Sequence, residues 1–296
     1  MTSTRVLVAG SANLDLVVRA PHIPAPGETV LGHSFATLAG GKGANQAVAC
    51  ARAGGMPTQM LLALGDDAAA AVLEASLGEA GVDLQVQRVA VPTGQAFICV
   101  SDAGDNAITV AAGANLELRP GHLPPLAGFS HLLLQLETPL DTVTAYARAA
   151  HDAGLAAVLN GAPAQVLPPA LLAALDLLIV NEGELATISG HDGGVDDALA
   201  ALPLANVVVT LGGQGARARC AGTWLQQPGF AIEVADTTAA GDTFCGALVA
   251  ERARGADWPQ ALRVACAAAA LACTRPGAQS SIPARAEVLQ FLQQQA

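Results

Sequence analysis

At 296 residues the chain is longer than a typical domain of roughly 100 to 200 residues, yet it suits the single large core of many α/β enzymes. Hydrophobic residues make up 52% and aromatics only 3%, so the core must be built from Ala, Val and Leu; the mean hydropathy of +0.43 comes without any apolar run near the ~18–20 residues that span a bilayer. A net charge of −11, from 14 basic and 25 acidic residues, argues against nucleic acid or an anionic membrane as partner.

The N-terminus lacks a basic region, an apolar stretch and a small-residue cleavage site, which predicts a cytoplasmic protein. Arg5-Val6-Leu7-Val8 instead opens a strand at 6–9. Further short apolar runs at 60–64, 132–135, 156–159, 177–180 and 207–211 alternate with Ala-rich segments at helical spacing, the pattern of βαβ units on a parallel sheet. Helix ends are marked by Gly54-Gly55 after 44–53, Gly81 after 68–80 and Gly154 after 140–153. Helix starts are marked by Asp66-Asp67, Pro139 and Pro259. The cysteines Cys50, Cys99, Cys220, Cys245, Cys266 and Cys273 form no C-x-x-C pair and read as reduced thiols.

Two segments break the rhythm. Residues 14–38 alternate at Leu16 and Val18 and contain three prolines; residues 93–111 place 96–101 and 108–111 on either side of Asp102-Ala103-Gly104-Asp105, a hairpin signal. They form either a small separate sheet or edge strands of the main one. No repeat or linker divides the chain, so one domain over 1–296 is expected.

Two helix starts carry chemistry. Gly40-Gly41-Lys42-Gly43-Ala44-Asn45-Gln46-Ala47 exposes backbone and offers the donors Lys42 and Asn45 to sugar hydroxyls. It is not a Walker loop, because Lys42 is followed by Gly rather than Ser or Thr. Asp236-Thr237-Thr238-Ala239-Ala240-Gly241-Asp242-Thr243-Phe244-Cys245-Gly246 places small residues ahead of a helix. There the free N–H groups of Ala240, Gly241 and Asp242 are predicted to point at an anion, with the Asp242 carboxylate beside them as a general base. An isolated Gly-Asp at this position would be an ordinary helix-start acid.

Taken together, these two stretches resemble the signature motifs of the ribokinase (PfkB-type) carbohydrate kinase family in order and spacing, and the resemblance runs from Gly10-Ser11-Ala12-Asn13-Leu14-Asp15 to Gly277-Ala278-Gln279-Ser280-Ser281. It implies a three-layer α/β/α sandwich with a central, mostly parallel sheet and a small β-sheet lid, formed by about 14–38 and 93–111, that often joins two copies as a homodimer. It also implies transfer of the γ-phosphoryl group of ATP to the 5-hydroxyl of D-ribose, with Asp242 as base and the Ala239, Ala240 and Gly241 backbone around the phosphoryl group. Other members act on deoxyribose, a nucleoside or a ketose.

Carried over residue by residue, the resemblance assigns Asn13, Asp15, Gly41, Lys42, Asn45 and Glu137 to the sugar, although Glu137 read alone is a helix-start acid. Asn181 and Glu184, in an N-x-x-E pattern, would position Mg²⁺ and phosphate through water; Thr210, Gly212, Gly213 and Gly215, with Gly241, would contact the nucleotide, and Cys266 would lie near the base. A monovalent cation, K⁺, would sit between the side chains of Asp236 and Ser281 and the carbonyls of Thr238, Ala272, Arg275 and Gly277. In Asn160-Gly161-Ala162-Pro163, Gly161 replaces the family's proline, a departure expected to loosen the loop.

Two rivals come from other classes. A dinucleotide-binding oxidoreductase is suggested by Val6-Leu7-Val8-Ala9-Gly10, but G-x-G-x-x-G is absent and Asp15 comes too early for the acid ~20 residues beyond such a motif. A sugar sensor without catalysis is disfavoured by the Gly241-Asp242 pair.

Overall fold

The computed structural model describes residues 4–295. In chain order its strands are β1 (Arg5–Ala9), β2 (Asn13–Ala20), β3 (Ser34–Gly40), β4 (Thr58–Leu64), β5 (Asp83–Arg88), β6 (Gly94–Ser101), β7 (Asn106–Ala111), β8 (Phe129–Leu134), β9 (Ala156–Asn160), β10 (Leu177–Asn181), β11 (Asn206–Thr210), β12 (Gly215–Cys220) and β13 (Thr223–Pro228). The helices are α1 (Lys42–Ala51), α2 (Ala68–Glu79), α3 (Leu140–Asp152), α4 (Pro169–Leu172), α5 (Glu182–Ser189), α6 (Val195–Ala201), α7 (Ala240–Ala253), α8 (Trp258–Cys273) and α9 (Arg285–Gln294). Among the described residues no helix is long and apolar enough to cross a membrane.

The main sheet has the order β13-β12-β11-β10-β9-β8-β1-β4-β5, parallel from β11 through β5 and closed at the other edge by the antiparallel β12 and β13. Its central strands read as unbroken apolar runs because both faces are covered. Val6, Val8, Met60, Leu62 and Leu133 pack into one core with α1, α2, α7 and α8. Leu7, Ala9, Leu61, Leu132 and Leu134 pack into the other with α3, α4, α5 and α6. These are the three layers expected.

Strand boundaries differ from the periodicity by one to three residues: Gln135 and Leu211 lie just past their strands, and β8 begins at Phe129. Periodicity gave no sign of β5, β12 or β13. In β12 the buried partners are Ala216 and Ala218, alternating with Arg217 and Arg219, too small an apolar signal to announce a strand. The helix ends at Gly55, Gly81 and Gly154 are present, each with positive φ, and Asp67 caps α2 by accepting from Ala70 N at 2.9 Å.

The two irregular segments form a separate sheet of order β3-β2-β6-β7, with β2 and β6 parallel and the outer pairs antiparallel. The edge-strand alternative is thereby excluded. β2 begins at Asn13, one residue before the predicted segment, and β3 runs on to Gly40, so this sheet leads directly into the glycines ahead of α1.

Candidate active site

The candidate residues gather at the carboxyl ends of the parallel strands, where open α/β sheets place their ligands. Two helix N-termini meet there. Gly41, at φ 90°, caps α1, and Ala239, at φ 58°, caps α7. A left-handed alanine costs roughly 1–2 kcal/mol, so the turn ahead of α7 is held by its surroundings. Gly246 lets α7 lie tightly on α1, since a Cβ there would come within 2.5 Å of Ala49 Cβ and 2.6 Å of the Gln46 carbonyl oxygen.

That contact places Asp242, in the first turn of α7, against the side chains of α1. Asn45 Nδ2 donates to Asp242 Oδ2 at 2.9 Å, and Gln46 Nε2 donates to Asp242 Oδ1 at 2.9 Å. Asn45 Oδ1 is buried and has no protein partner among the described residues, so it remains an acceptor for a ligand hydroxyl. One expectation about the cradle needs correction. The Ala240 amide turns back onto the Thr237 carbonyl at 3.2 Å, because the tight turn at Ala239 brings that oxygen beneath it. The anion-facing donors are therefore Gly241 and Asp242.

On the sheet side, Asn13 and Asp15 are buried on β2. Asn13 Oδ1 accepts from Asn115 Nδ2 at 2.8 Å, and Asn115 Oδ1 accepts from Ala12 N at 3.0 Å. Glu137 does not serve only its own helix: its Oε2 accepts from Ser11 Oγ at 2.6 Å and from the Lys42 amide at 3.1 Å. Glu137 thus closes the N-terminus of α1, the best place for a negative charge on that helix. Gln46, Ser11 and Asn115 were missed by sequence reading; Gln46 lay inside a quoted motif, but nothing local showed where its amide would point.

Lys42 is the chain's only lysine; the other 13 basic residues are arginines. It stands among carboxylates. Burial opposes its charge, but Asp242, Glu137 and Glu184 outweigh burial and raise its pKa above the ordinary lysine value. Burial, together with Glu137 and Asp242, raises Asp15 to about 7, with Lys42 pulling the other way. Burial likewise raises Asp242, opposed by Lys42 and by the amides of Asn45 and Gln46. A group poised in this way in a cleft is suited to accept and release a proton.

Two cavities border Gly241, the residue before Asp242. One, of about 180 Å³, is lined by Lys42, Asn160, Glu184, Thr210, Gly241 and Asp242. The other, of about 240 Å³, has a nearly all-carbon wall that includes Phe230, Phe244, Cys266, Ala269 and Cys273. Thr210 and Gly241 border both, and Gly212, Gly213 and Gly215 lie on the rim of the apolar one. An apolar slot that meets a polar chamber at Thr210 and Gly241 fits a flat base followed by phosphates. Phe230, from the irregular stretch after β13, was not foreseen.

Asn181 and Glu184 form a reciprocal cap on α5: Asn181 N donates to Glu184 Oε2 and Glu184 N to Asn181 Oδ1, both at 2.8 Å. The other Glu184 oxygen has no protein donor among the described residues, and Glu184 lines the polar cavity. Asp236 ties the turn ahead of α7 to the chain after α8. Its Oδ1 accepts from Thr238 N and Oγ1 at 2.9 and 2.6 Å, and its Oδ2 from Gly277 N at 2.9 Å. Burial opposes its charge, but these donors outweigh it and keep Asp236 below the usual carboxylate range. Ser281 is fully buried and donates to the Ala278 carbonyl at 2.8 Å; Ala272 accepts from the Arg275 amide at 3.2 Å. Gly161, expected to loosen its loop, instead donates its N–H to the Ile179 carbonyl at 2.9 Å, a bond that proline cannot make.

Comparison with known proteins agrees with this geometry. A model described as pfkB family carbohydrate kinase matches residues 3–285. The chain is 38% identical over 301 residues to the ribokinase of Haemophilus influenzae, covering 97% of each, and 38% identical over 293 residues to that of Bacillus subtilis, covering 97% of this chain and 99% of the relative. Among solved structures it resembles ribokinase from Thermotoga maritima with a TM-score of 0.90 at 34% identity, covering 98% of this chain and 99% of that one. Arabidopsis thaliana ribokinase complexed with ribose and ATP gives 0.89 at 33%, covering 99% of each. The chain therefore belongs to the pfkB family of carbohydrate kinases.

Proposed function

We propose that this kinase transfers the γ-phosphoryl group of ATP to the 5-hydroxyl of D-ribose. The observation that carries the reading is Asp242, whose two oxygens are oriented by Asn45 and Gln46 in the wall of the polar chamber, next to Gly241, which also borders the apolar slot. The similarity to ribokinases over almost the whole chain supports ribose as the acceptor.

In this reading the base of ATP occupies the apolar slot and its phosphates pass Thr210 and Gly241. Asn13, Asp15, Gly41, Lys42, Asn45 and Glu137 orient the sugar, a polar set that can discriminate hydroxyl positions. Asp242 takes the proton of the attacking hydroxyl while the free amides of Gly241 and Asp242 face the charge on the transferring group and Lys42 supplies the nearby cation. The small sheet excludes water that would otherwise hydrolyse ATP.

The residues present fit two metal ions. The unclaimed oxygen of Glu184, with Asn181 beside it, suits water-mediated contact with Mg²⁺, which keeps its waters and would neutralise phosphate charge. The ionised Asp236, the Ser281 hydroxyl and the carbonyls of Thr238, Ala272, Arg275 and Gly277 suit K⁺ beside the turn that shapes the cradle.

The whole chain is read as one domain in which the small sheet acts as a lid. That sheet carries exposed apolar side chains on both faces: Val18, Phe35 and Phe97 share one face, and Ile108 and Val110 share the other with Asp15. Apolar groups in such number support a homodimer formed through the lid. A cytoplasmic location completes the proposal.

A coupled kinase assay with MgATP and ribose, 2-deoxyribose, fructose or adenosine, with and without K⁺, tests it. Ribose should give the highest kcat/KM, and K⁺ should raise it. A preference of about tenfold for another sugar would overturn ribose as the acceptor.

A further inference from the structure

We propose that Gln46 is a positioning residue for the carboxylate of Asp242, and that Gln135, Gln46 and Asn160 form a buried amide relay of fixed polarity ending on that carboxylate. The inference rests on the reading of Asp242 as the base and extends it to Gln46 and Gln135, which line neither cavity.

Gln46 is fully buried on α1. Its Nε2 donates to Asp242 Oδ1 and to Asn160 Oδ1, each at 2.9 Å, so both amide hydrogens are used on acceptors from α7 and β9. Its Oε1 accepts from Gln135 Nε2 at 2.7 Å, just past β8. Asn160 is fixed in turn, because its Nδ2 donates to the Ile179 carbonyl at 3.2 Å and so holds its oxygen toward Gln46.

The direction of the relay follows from what each group can do. An ionised carboxylate only accepts, so Gln46 must present its nitrogen to Asp242 and its oxygen to the far side, and Gln135 must then donate. Reversing Gln46 would set its oxygen against two others. At the remote end Gln135 Oε1 is buried with no partner among the described residues. The orientation is thus dictated from the Asp242 end.

Every polar atom of the Gln46 side chain is engaged by protein, so it acts on the reaction only through Asp242. Asn45 differs, since its Oδ1 stays available to the sugar. With one amide donor on each oxygen, the carboxylate plane of Asp242 is fixed relative to the Gly241 amide. Gln46 also helps keep the group ionised against the effect of burial.

Gln46→Met, which keeps the volume and removes the donor, should lower kcat by about ten- to hundredfold while KM for ribose and ATP changes by less than about threefold. The acid limb of kcat should move to higher pH, so that the deficit shrinks as pH rises; a purely structural defect would not recover in this way. Gln135→Met should act in the same direction and more weakly. In the wild-type protein, with no variant to fold, the side-chain ¹H–¹⁵N resonances of Gln46 should titrate with the midpoint of that acid limb. A Gln46→Met profile superposable on wild type, or a Gln46 amide that does not titrate, would overturn the relay. Asp242→Asn separates the two levels: near-normal turnover refutes Asp242 as the base, whereas loss of turnover with an unmoved Gln46→Met profile refutes the relay alone.

Discussion

Asp15→Asn should stabilise the ligand-free protein, and more at pH 8 than at pH 5. The carboxyl is only 9% exposed and lies with Glu137 and Asp242 around one lysine; burial first, and those neighbours second, raise it from 3.8 to about 7. The sign runs against the usual carboxylate. Below about pH 3.8 both folded and unfolded chains hold the proton and nothing is lost; between 3.8 and 7 only the folded chain holds it, so stability falls as pH rises; above 7 the full penalty is present. The rise from 3.8 to about 7, at 1.36 kcal/mol per pH unit, sets an upper limit of about 4 kcal/mol at pH 8, of which rather more than a third is already present at pH 5. The pH-dependent part is therefore about 2–3 kcal/mol. With an unfolding entropy of about 2.1 cal/mol/K per residue over 296 residues, this amounts to about 4 °C in Tm. Calorimetry of both proteins at the two pH values, without sugar or nucleotide, measures it. A substitution that destabilises equally at pH 5 and pH 8 would refute the description of Asp15 as a carboxyl held against its charge.

Asp242→Asn should retain ribose binding by calorimetric titration while kcat falls by roughly 10²- to 10⁴-fold, the usual contribution of a general base; the new amide also sets a donor against Asn45 or Gln46, so near-normal turnover is doubly unexpected. Gly161→Pro should destabilise the protein by about 1–3 kcal/mol in urea denaturation, through loss of the bond to Ile179 and crowding against Ile188 Cδ1 and Val180 Cγ1, which lie 2.7 and 2.8 Å from a Cβ built there. Because the base slot is walled by carbon, GTP and ITP should serve as donors within about tenfold of ATP in kcat/KM; a preference of a thousandfold would show that a polar group reads the base.

The layered fold was legible because strands such as Val6-Leu7-Val8 are buried on both faces, which leaves an uninterrupted apolar signal. β12 carries the same structural weight with alanine and arginine, and alanine speaks equally for a helix. The site was legible where a residue's placement follows from its own helix start, as for Asp242 in the first turn of α7. It was not legible where the partner lies far along the chain. Glu137 faces its own helix in any local reading, yet it closes a helix that begins 95 residues earlier. The destination of Gln46 depends on the contact of α1 with α7, and only the folded chain brings those together. Gly161 was misread for a related reason: its missing ring suggested slack, whereas its N–H found the Ile179 carbonyl across the sheet.

The solitary lysine has a practical consequence. In most proteins amine-directed reagents scatter over many surface lysines, but here Lys42 is the only lysine in the sequence. Lys42 is half-buried and kept protonated by the carboxylates around it, so at neutral pH it reacts slowly. At alkaline pH the same chemistry turns to the cleft, and protection of Lys42 by a sugar or nucleotide becomes a direct measure of occupancy, read as one mass increment on one peptide.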